Sequence, residues 1–148
     1  MYDHILIATD GSELARKGVE QGLALAAKLG SKVTIVSVTE PLDPRAAKAA
    51  LDAGMEDPVG GYDRTVGEEM AARFADITQR AAAKGVVVEL THEIDEHPAE
   101  AIIRLADDID CDLIVMSSHG RRGVRRLVLG SQTAEVVTGT TRPVLVIR

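Results

Sequence analysis

Five short runs of apolar, mostly β-branched residues recur along the chain: HILIATD (4 to 10), KVTIVSVTE (32 to 40), VVVELTHEI (86 to 94), DLIVMSS (112 to 118) and PVLVIR (143 to 148). Segments such as ILI and LIVM do not alternate with polar residues. A strand made from them buries both faces, which is the habit of a parallel sheet covered by helices on either side. The stretches between the runs carry helical patterning. SELARKGVEQGLALAAKLG brings Leu14, Gly18, Gly22 and Leu25 near one face, where the glycines permit close packing on a sheet, and it stops at Gly30. Glycine ends helices readily because it accepts the left-handed conformation. EEMAARFADITQRAAAKG stops in the same way at Gly85. HPAEAIIRLADDID begins with Pro98, whose fixed φ suits a first helical turn, and SQTAEVVTGT opens at Ser131, the expected N-cap.

Strands that alternate with helices from end to end predict one α/β domain over residues 1 to 148: an open five-stranded parallel sheet of order 3-2-1-4-5, flanked by helices through right-handed crossovers. Residues 41 to 64 interrupt the alternation with Pro41, Pro44, Pro58, Gly60 and Gly61. They read as a surface excursion or lid, with RAAKAALDAG as a short helix.

Composition narrows the function. Aromatics make up 2% of the chain, so the core is aliphatic, and only the scattered Tyr2, Tyr62 and Phe74 are available to stack on bases. Single-strand nucleic-acid binding is therefore not expected, and the formal net charge of -6 argues against a general nucleic-acid coat. Cys111 is the one cysteine, which rules out an intramolecular disulfide and any paired-cysteine metal site. His4, His92 and His97 lack ligand spacing, and Asp107, Asp108, Asp110 and Asp112 read as a solvated helix edge. No run reaches the ~20 apolar residues that span a bilayer, and HILIATD is not preceded by a basic leader. The expectation is a cytoplasmic protein without membrane contact.

Open parallel sheets bind ligands at the carboxyl ends of their strands, where the winding direction reverses. With the predicted order, that point lies between the first and fourth strands, whose exits are ATDGS (8 to 12) and SSHGRRG (117 to 123). Gly120 and Gly130 bracket nine residues that include Arg121, Arg122, Arg125 and Arg126, and Gly130-Ser131 opens a helix. A helix start offers unpartnered N–H groups to an anion, glycine admits it closely, and guanidinium groups add donors. Asp10 can accept hydrogen bonds from ribose hydroxyls. His119 can serve as a base or phosphate donor, although one histidine does not make a catalytic site. Each feature has a plainer reading: Gly120 as a turn, VRRLVL as an amphipathic turn with solvated arginines, and Asp10 as an N-cap paired with Glu13, for which Ser12 competes.

Taken together, ILIATDGSELA, DLIVMSSHGRRGVRRLVLGSQTAEVV and PVLVIR resemble the universal stress protein family across essentially the whole chain. The resemblance implies a five-stranded parallel sheet, a usually dimeric state and kinship with the adenine nucleotide alpha hydrolases. Many members bind ATP through glycine, two residues, glycine, nine residues, then glycine with serine or threonine. Gly120, the nine residues Arg121 to Leu129, and Gly130-Ser131 match the second half, whereas Ser117 stands where the pattern begins with glycine.

By resemblance, Asp10 meets the ribose and Val38 meets adenine through its backbone, while Ala8 and Thr9 line the base pocket. Met116, Ser117, Ser118, His119, Gly120 and Arg121, with Gly130, Ser131, Gln132 and Thr133, surround the phosphates, which carry Mg²⁺. The leading expectation is a regulatory ATP-binding module with little or no ATPase activity, dimeric through the terminal strand 143 to 148. Alternatives are a nucleotide-independent adaptor whose arginine loop docks an unidentified acidic protein, a slow ATPase, and a cyclic AMP binder. An ATP pyrophosphatase-type enzyme would want a denser glycine-serine loop than TDGS.

Overall fold

The computed structural model describes residues 1 to 120 and 128 to 148. Among these residues the order is β1 (His4–Ala8), α1 (Glu13–Leu29), β2 (Lys32–Thr39), α2 (Pro44–Asp52), α3 (Pro58–Ala83), β3 (Val88–Ile94), α4 (Pro98–Asp108), β4 (Leu113–Ser117), α5 (Ser131–Gly139) and β5 (Val144–Ile147). The sheet order is β3-β2-β1-β4-β5, with every pair parallel, as the unbroken apolar runs predict.

Both faces of the central strands are covered. Ile5 and Ile7 of β1 pack with Val19 and Leu23 of α1 and Ile77 of α3. Leu6 and Ala8, pointing the other way, pack with Ile102 of α4, Met116 of β4 and Val136 of α5. Ile5, Leu6, Ile7 and Ile114 have no exposed surface, and each such side chain contributes about 1.5–3 kcal/mol of transfer free energy. From β1 the chain winds outward through β2 to β3, then crosses back to place β4 on the other side of β1. Helices α1 and α3 therefore cover one face and α4 and α5 the other.

Helix ends follow local chemistry. Gly30 (φ 72°) and Gly85 (φ 69°) close α1 and α3 in the left-handed region. The next amides, Ser31 N and Val86 N, reach back to Ala26 O and Ala81 O at 3.1 and 3.0 Å. The 41 to 64 region is more regular than the sequence predicts. Pro44 and Pro58 start helices rather than break them, because each occupies the first turn behind an aspartate cap, Asp43 or Asp57, whose carboxylate accepts from backbone N–H groups. Gly60 and Gly61 lie inside the first turns of a 26-residue α3. One further expectation is corrected and one open alternative is decided. Gly130, not Ser131, is the N-cap of α5, and Ser131 is its first helical residue. Ser12, not Asp10, caps α1, accepting from Ala15 N at 3.2 Å.

The acidic run near residue 110 is more than a solvated edge. Arg142 donates to Asp107 at 3.3 Å, to Asp110 at 2.9 Å and to the Cys111 carbonyl, tying the approach to β5 onto the turn before β4. Asp112 accepts from Asp3 N at 2.9 Å and His4 N at 3.3 Å, which pins the start of β1. No helix among the described residues is long and apolar enough to cross a membrane.

The two glycines of α1 differ. A Cβ on Gly22 would meet Ile7 Cδ1 at 2.5 Å, within the buried core, whereas one on Gly18 would find its nearest atom, Ser117 N, at an ordinary 3.8 Å. Close packing thus requires only Gly22. Gly18→Ala is expected to raise stability by about 0.5–1 kcal/mol through helix propensity, and Gly22→Ala to lower it by about 1 kcal/mol or more through overpacking. Urea denaturation of both variants, compared at equal m-value, checks the contrast.

Candidate functional site

The exit of β1 is held from three directions. Thr9 N donates to Val36 O at 2.9 Å, continuing the sheet one residue past the strand. Thr9 O accepts from the buried Ser37 hydroxyl at 2.5 Å. Beyond it, Gly11 N donates to Thr9 Oγ1 at 3.2 Å and Ser12 N to Asp10 Oδ1 at 2.9 Å, two local side-chain turns that lead directly into α1. Gly11 has φ 77°, and its missing side chain leaves room for the Arg73 guanidinium, which a Cβ there would meet at 2.5 to 2.7 Å. Arg73 Nη1 donates to Ser37 Oγ at 2.6 Å.

The exit of β4 is held just as closely. Ser118 N donates to Ile147 O of β5 at 2.7 Å, and Gly130 N returns to Ser118 O at 2.7 Å, bringing the start of α5 against the strand end. Thr133 Oγ1 donates to Ser117 O at 2.7 Å inside the protein. Ser117 Oγ folds back onto His119 O at 3.0 Å, and Ser118 Oγ lies 3.1 Å from His119 Nδ1. A Cβ on Gly130 would stand 3.0 Å from both His119 Cα and Ser118 O, so any side chain there would press on the backbone at this crossing point.

The two exits touch. A Cβ on Gly120 would overlap the Asp10 carboxylate oxygen Oδ2, so that carboxylate lies directly against the Gly120 backbone. Beside this contact, Ala8, Met116 and half-buried Val38 share one apolar cluster, and the first N–H groups of α5 lack intrahelical partners, as at any helix start. The crevice thus combines an apolar floor, a carboxylate that accepts hydrogen bonds and a ring of anion-seeking donors.

The structure brings Ala8, Thr9, Asp10, Val38, Met116, Ser117, Ser118, His119, Gly120 and Gly130 to this one edge of the sheet. It turns two side chains to other tasks. Gln132 Oε1 accepts from Ala99 N at 3.0 Å, supplying α4 with the cap that His97 does not provide, and Thr133 anchors α5 to β4. Exposed Ser131 stands at the helix start. Arg121, Arg122, Arg125 and Arg126 lie outside the described residues.

A cavity of about 260 Å³ opens on the opposite face of β1, between α1 and α3, where Thr9, Gly11, Arg16, Arg73 and Arg80 are among its lining residues. Its lower rim is fastened by Arg80, which binds Glu20 at 2.7 Å and Asp76 at 2.8 Å. The hydrogen bond from Arg80 is the main reason the Glu20 carboxyl sits below its ordinary pKa. Burial raises the Cys111 thiol, which keeps it protonated and unreactive. Among the described residues no group of three His, Cys, Asp or Glu side chains can hold a metal ion.

Sequence reasoning missed Arg73 and Ser37. Ser37 left a trace as the lone polar residue between Val36 and Val38 in an otherwise apolar strand end; Arg73 left none, since a basic residue on a long polar helix is ordinary. Thr133→Val keeps the side-chain shape but removes the donor to Ser117 O, and is expected to cost about 1–3 kcal/mol. Chemical denaturation with retained far-ultraviolet circular dichroism tests this anchor.

The family model described as "Universal stress protein family" matches residues 1–148. A universal stress protein of Thermus aquaticus, encoded in the QAH/OAS sulfhydrylase 3′ region, is 30% identical over 148 residues, covering all of both chains. Among solved structures, hypothetical protein MJ0577, a universal stress protein of Methanocaldococcus jannaschii, superposes with a TM-score of 0.80 at 26% identity, covering 99% of this chain and 96% of that one. A universal stress protein solved in complex with cAMP shares the fold with a TM-score of 0.70 at 24% identity, over 99% of this chain and 97% of that one. The one from Archaeoglobus fulgidus in complex with dAMP gives 0.64 at 18% identity, over 99% and 98%.

Proposed function

Because the chain belongs to the universal stress protein family, we propose that it is a regulatory module that binds ATP between the β1 and β4 exits, with little or no hydrolysis. The observation that carries this reading is the contact of Asp10 with Gly120 beside the start of α5. A carboxylate suited to ribose hydroxyls stands next to backbone donors suited to phosphate. The apolar cluster of Ala8, Val38 and Met116 suits an adenine ring. The adenine nucleotides in two solved neighbours, cAMP and dAMP, support the same ligand class.

In this reading Ala8 and Thr9 line the base pocket, Val38 meets the base through its backbone and Asp10 meets the ribose. The segment Met116 to Gly120 and the start of α5 surround the phosphates. Ser117 is compatible with the ligand because its hydroxyl is turned inward onto His119 O. Mg²⁺ fits as an ion brought on the phosphates, since it keeps most of its waters and needs few protein carboxylates, and Asp10 is the acidic side chain at the crevice. When bound there it would neutralise phosphate charge. Hydrolysis needs a base and a positioned water; in this reading Asp10 is engaged by the ribose, and His119 already has Nδ1 in contact with Ser118 Oγ.

Isothermal titration of nucleotide-stripped protein with Mg-ATP tests the reading. Saturable binding is expected in the wild type and loss of at least ten-fold in Ser131→Asp, which sets a carboxylate at the exposed first residue of α5, where phosphate belongs; a one-charge repulsion of ~1.4 kcal/mol is already ten-fold. Tighter binding of cAMP than of ATP would favour the cyclic nucleotide, and no binding of either would leave a nucleotide-independent adaptor.

The same family reading supports a homodimer through residues 143 to 148. β5 is a sheet edge, and an edge strand has backbone groups left to pair. Pro143 O and Ile147 O face β4, so by the alternation of a parallel strand Val144 and Val146 turn their backbone outward. Val146→Pro removes an outward N–H while sparing the bonds to β4. Sedimentation equilibrium is expected to give a dimer for the wild type and a folded monomer for this variant.

A further inference from the structure

Resting on the nucleotide reading above, we propose that Arg73 is a positioning residue for the adenosine half of the site, acting from behind the β1 exit through Ser37. Arg73 Nη1 donates to Ser37 Oγ at 2.6 Å. The Ser37 hydroxyl has a single proton, and it donates that proton to Thr9 O at 2.5 Å. Ser37 has no exposed surface, so the relay lies in a low-dielectric interior, where a charged donor polarises the next bond in the chain. The same guanidinium lies beneath Gly11, the one residue of this turn in the left-handed region. Arg73 therefore fixes the turn at its first residue through Ser37 and at its third by contact.

Between those two fixed points stands Asp10. Its direction is set by the turn, with Oδ1 held by Ser12 N and Oδ2 lying against Gly120. A small rotation of the Thr9 carbonyl would swing the carboxylate along the crevice, and hydrogen bonds weaken steeply with misalignment. Arg73 also approaches from the wrong side to touch phosphate. It lines the cavity between α1 and α3, on the face of Val19 and Ile77, whereas the proposed adenine floor of Ala8, Val38 and Met116 belongs to the opposite face. The bonds to Ser37 and the contact with Gly11 give Arg73 a route to a ligand through Thr9, Asp10 and Gly11. A guanidinium is suited to this double task, because one plane offers both a directed donor and a flat surface under the glycine, a geometry that lysine does not reproduce.

The experiment is titration of wild type, Arg73→Met, Arg73→Lys, Ser37→Ala and the Arg73→Met/Ser37→Ala double variant with both ATP and adenosine. Arg73→Met and Ser37→Ala are each expected to weaken the two ligands by one common factor of about ten, the scale of losing a single charge-assisted hydrogen bond. The double variant should be no weaker than the stronger single one, since both remove the same relay, and Arg73→Lys should restore affinity only in part. Ser131→Asp, titrated alongside, should instead weaken ATP and spare adenosine. A loss confined to ATP would identify Arg73 as a direct phosphate ligand and overturn the proposal; so would unchanged affinity.

If the wild type binds neither ligand, the nucleotide reading fails by itself. Amide exchange in the free protein then decides the positioning role. Faster exchange at Gly11 and Ser12 in Arg73→Met and Ser37→Ala, with β4 and the interior of α1 unchanged, supports it, and exchange equal to wild type at Gly11 and Ser12 removes it.

Discussion

The crevice exists because two neighbouring parallel strands, β1 and β4, send their chains in opposite directions. β1 leads into α1 on one face of the sheet and β4 leads towards α5 on the other. Where adjacent strands continue to the same side, one connection covers the next. Here neither covers the other, and the carbonyl ends of both strands stay open at the middle of the sheet. The remaining features of the edge answer that opening. Backbone groups that the ladder no longer pairs are taken up by Ser37, Thr9, Asp10, Ser118 and Thr133. The residues that look functional are thus in large part those that close the hydrogen-bond account of two strand ends.

That double duty explains which parts were readable in the sequence. Strand identity is legible because burial on both faces demands near-unbroken apolar runs in the central strands β1, β2 and β4, whereas the sheet order enters with the fold class and is borne out by the pairing. The crevice followed from topology, and its glycines were visible because Gly120 and Gly130 mark places where backbone meets backbone or a carboxylate. Local preference places the cap of α5 one residue late: Ser131 is the better capping type, but Gly130 is bonded to Ser118 and holds the non-helical conformation the cap requires. Tertiary contact outweighed local preference.

Other features were hidden for a related reason. Pro44 and Pro58 looked like interruptions because proline both breaks and begins helices, and only the aspartate before each one decides which. Gln132 caps α4 from 33 residues away, and Arg73 reaches Ser37 from 36 residues away. Contacts of that range leave no periodic signature, so a single chain shows the donor and the acceptor without showing that they meet. Arg73 stands among other charged residues of a long polar helix, so nothing local marks it as part of the β1 exit.

The tight bonding of both exits bears on how such a module would act. A ligand shifts a conformational equilibrium only to the extent that it binds one state better than another. The β1 turn is held by the protein's own groups at Thr9, Asp10, Gly11 and Ser12, and the β4 exit is held at Ser117, Ser118, Gly130 and Thr133. In the proposed reading, a nucleotide would gain affinity at these particular residues because the protein's own hydrogen bonds already order them. Occupancy would then be signalled chiefly by what the ligand adds, several negative charges at the rim of the sheet in a chain already at -6. In the proposed reading, a partner that senses the bound state would have to read charge and shape at this edge, where the strand ends beneath are held by their own hydrogen bonds.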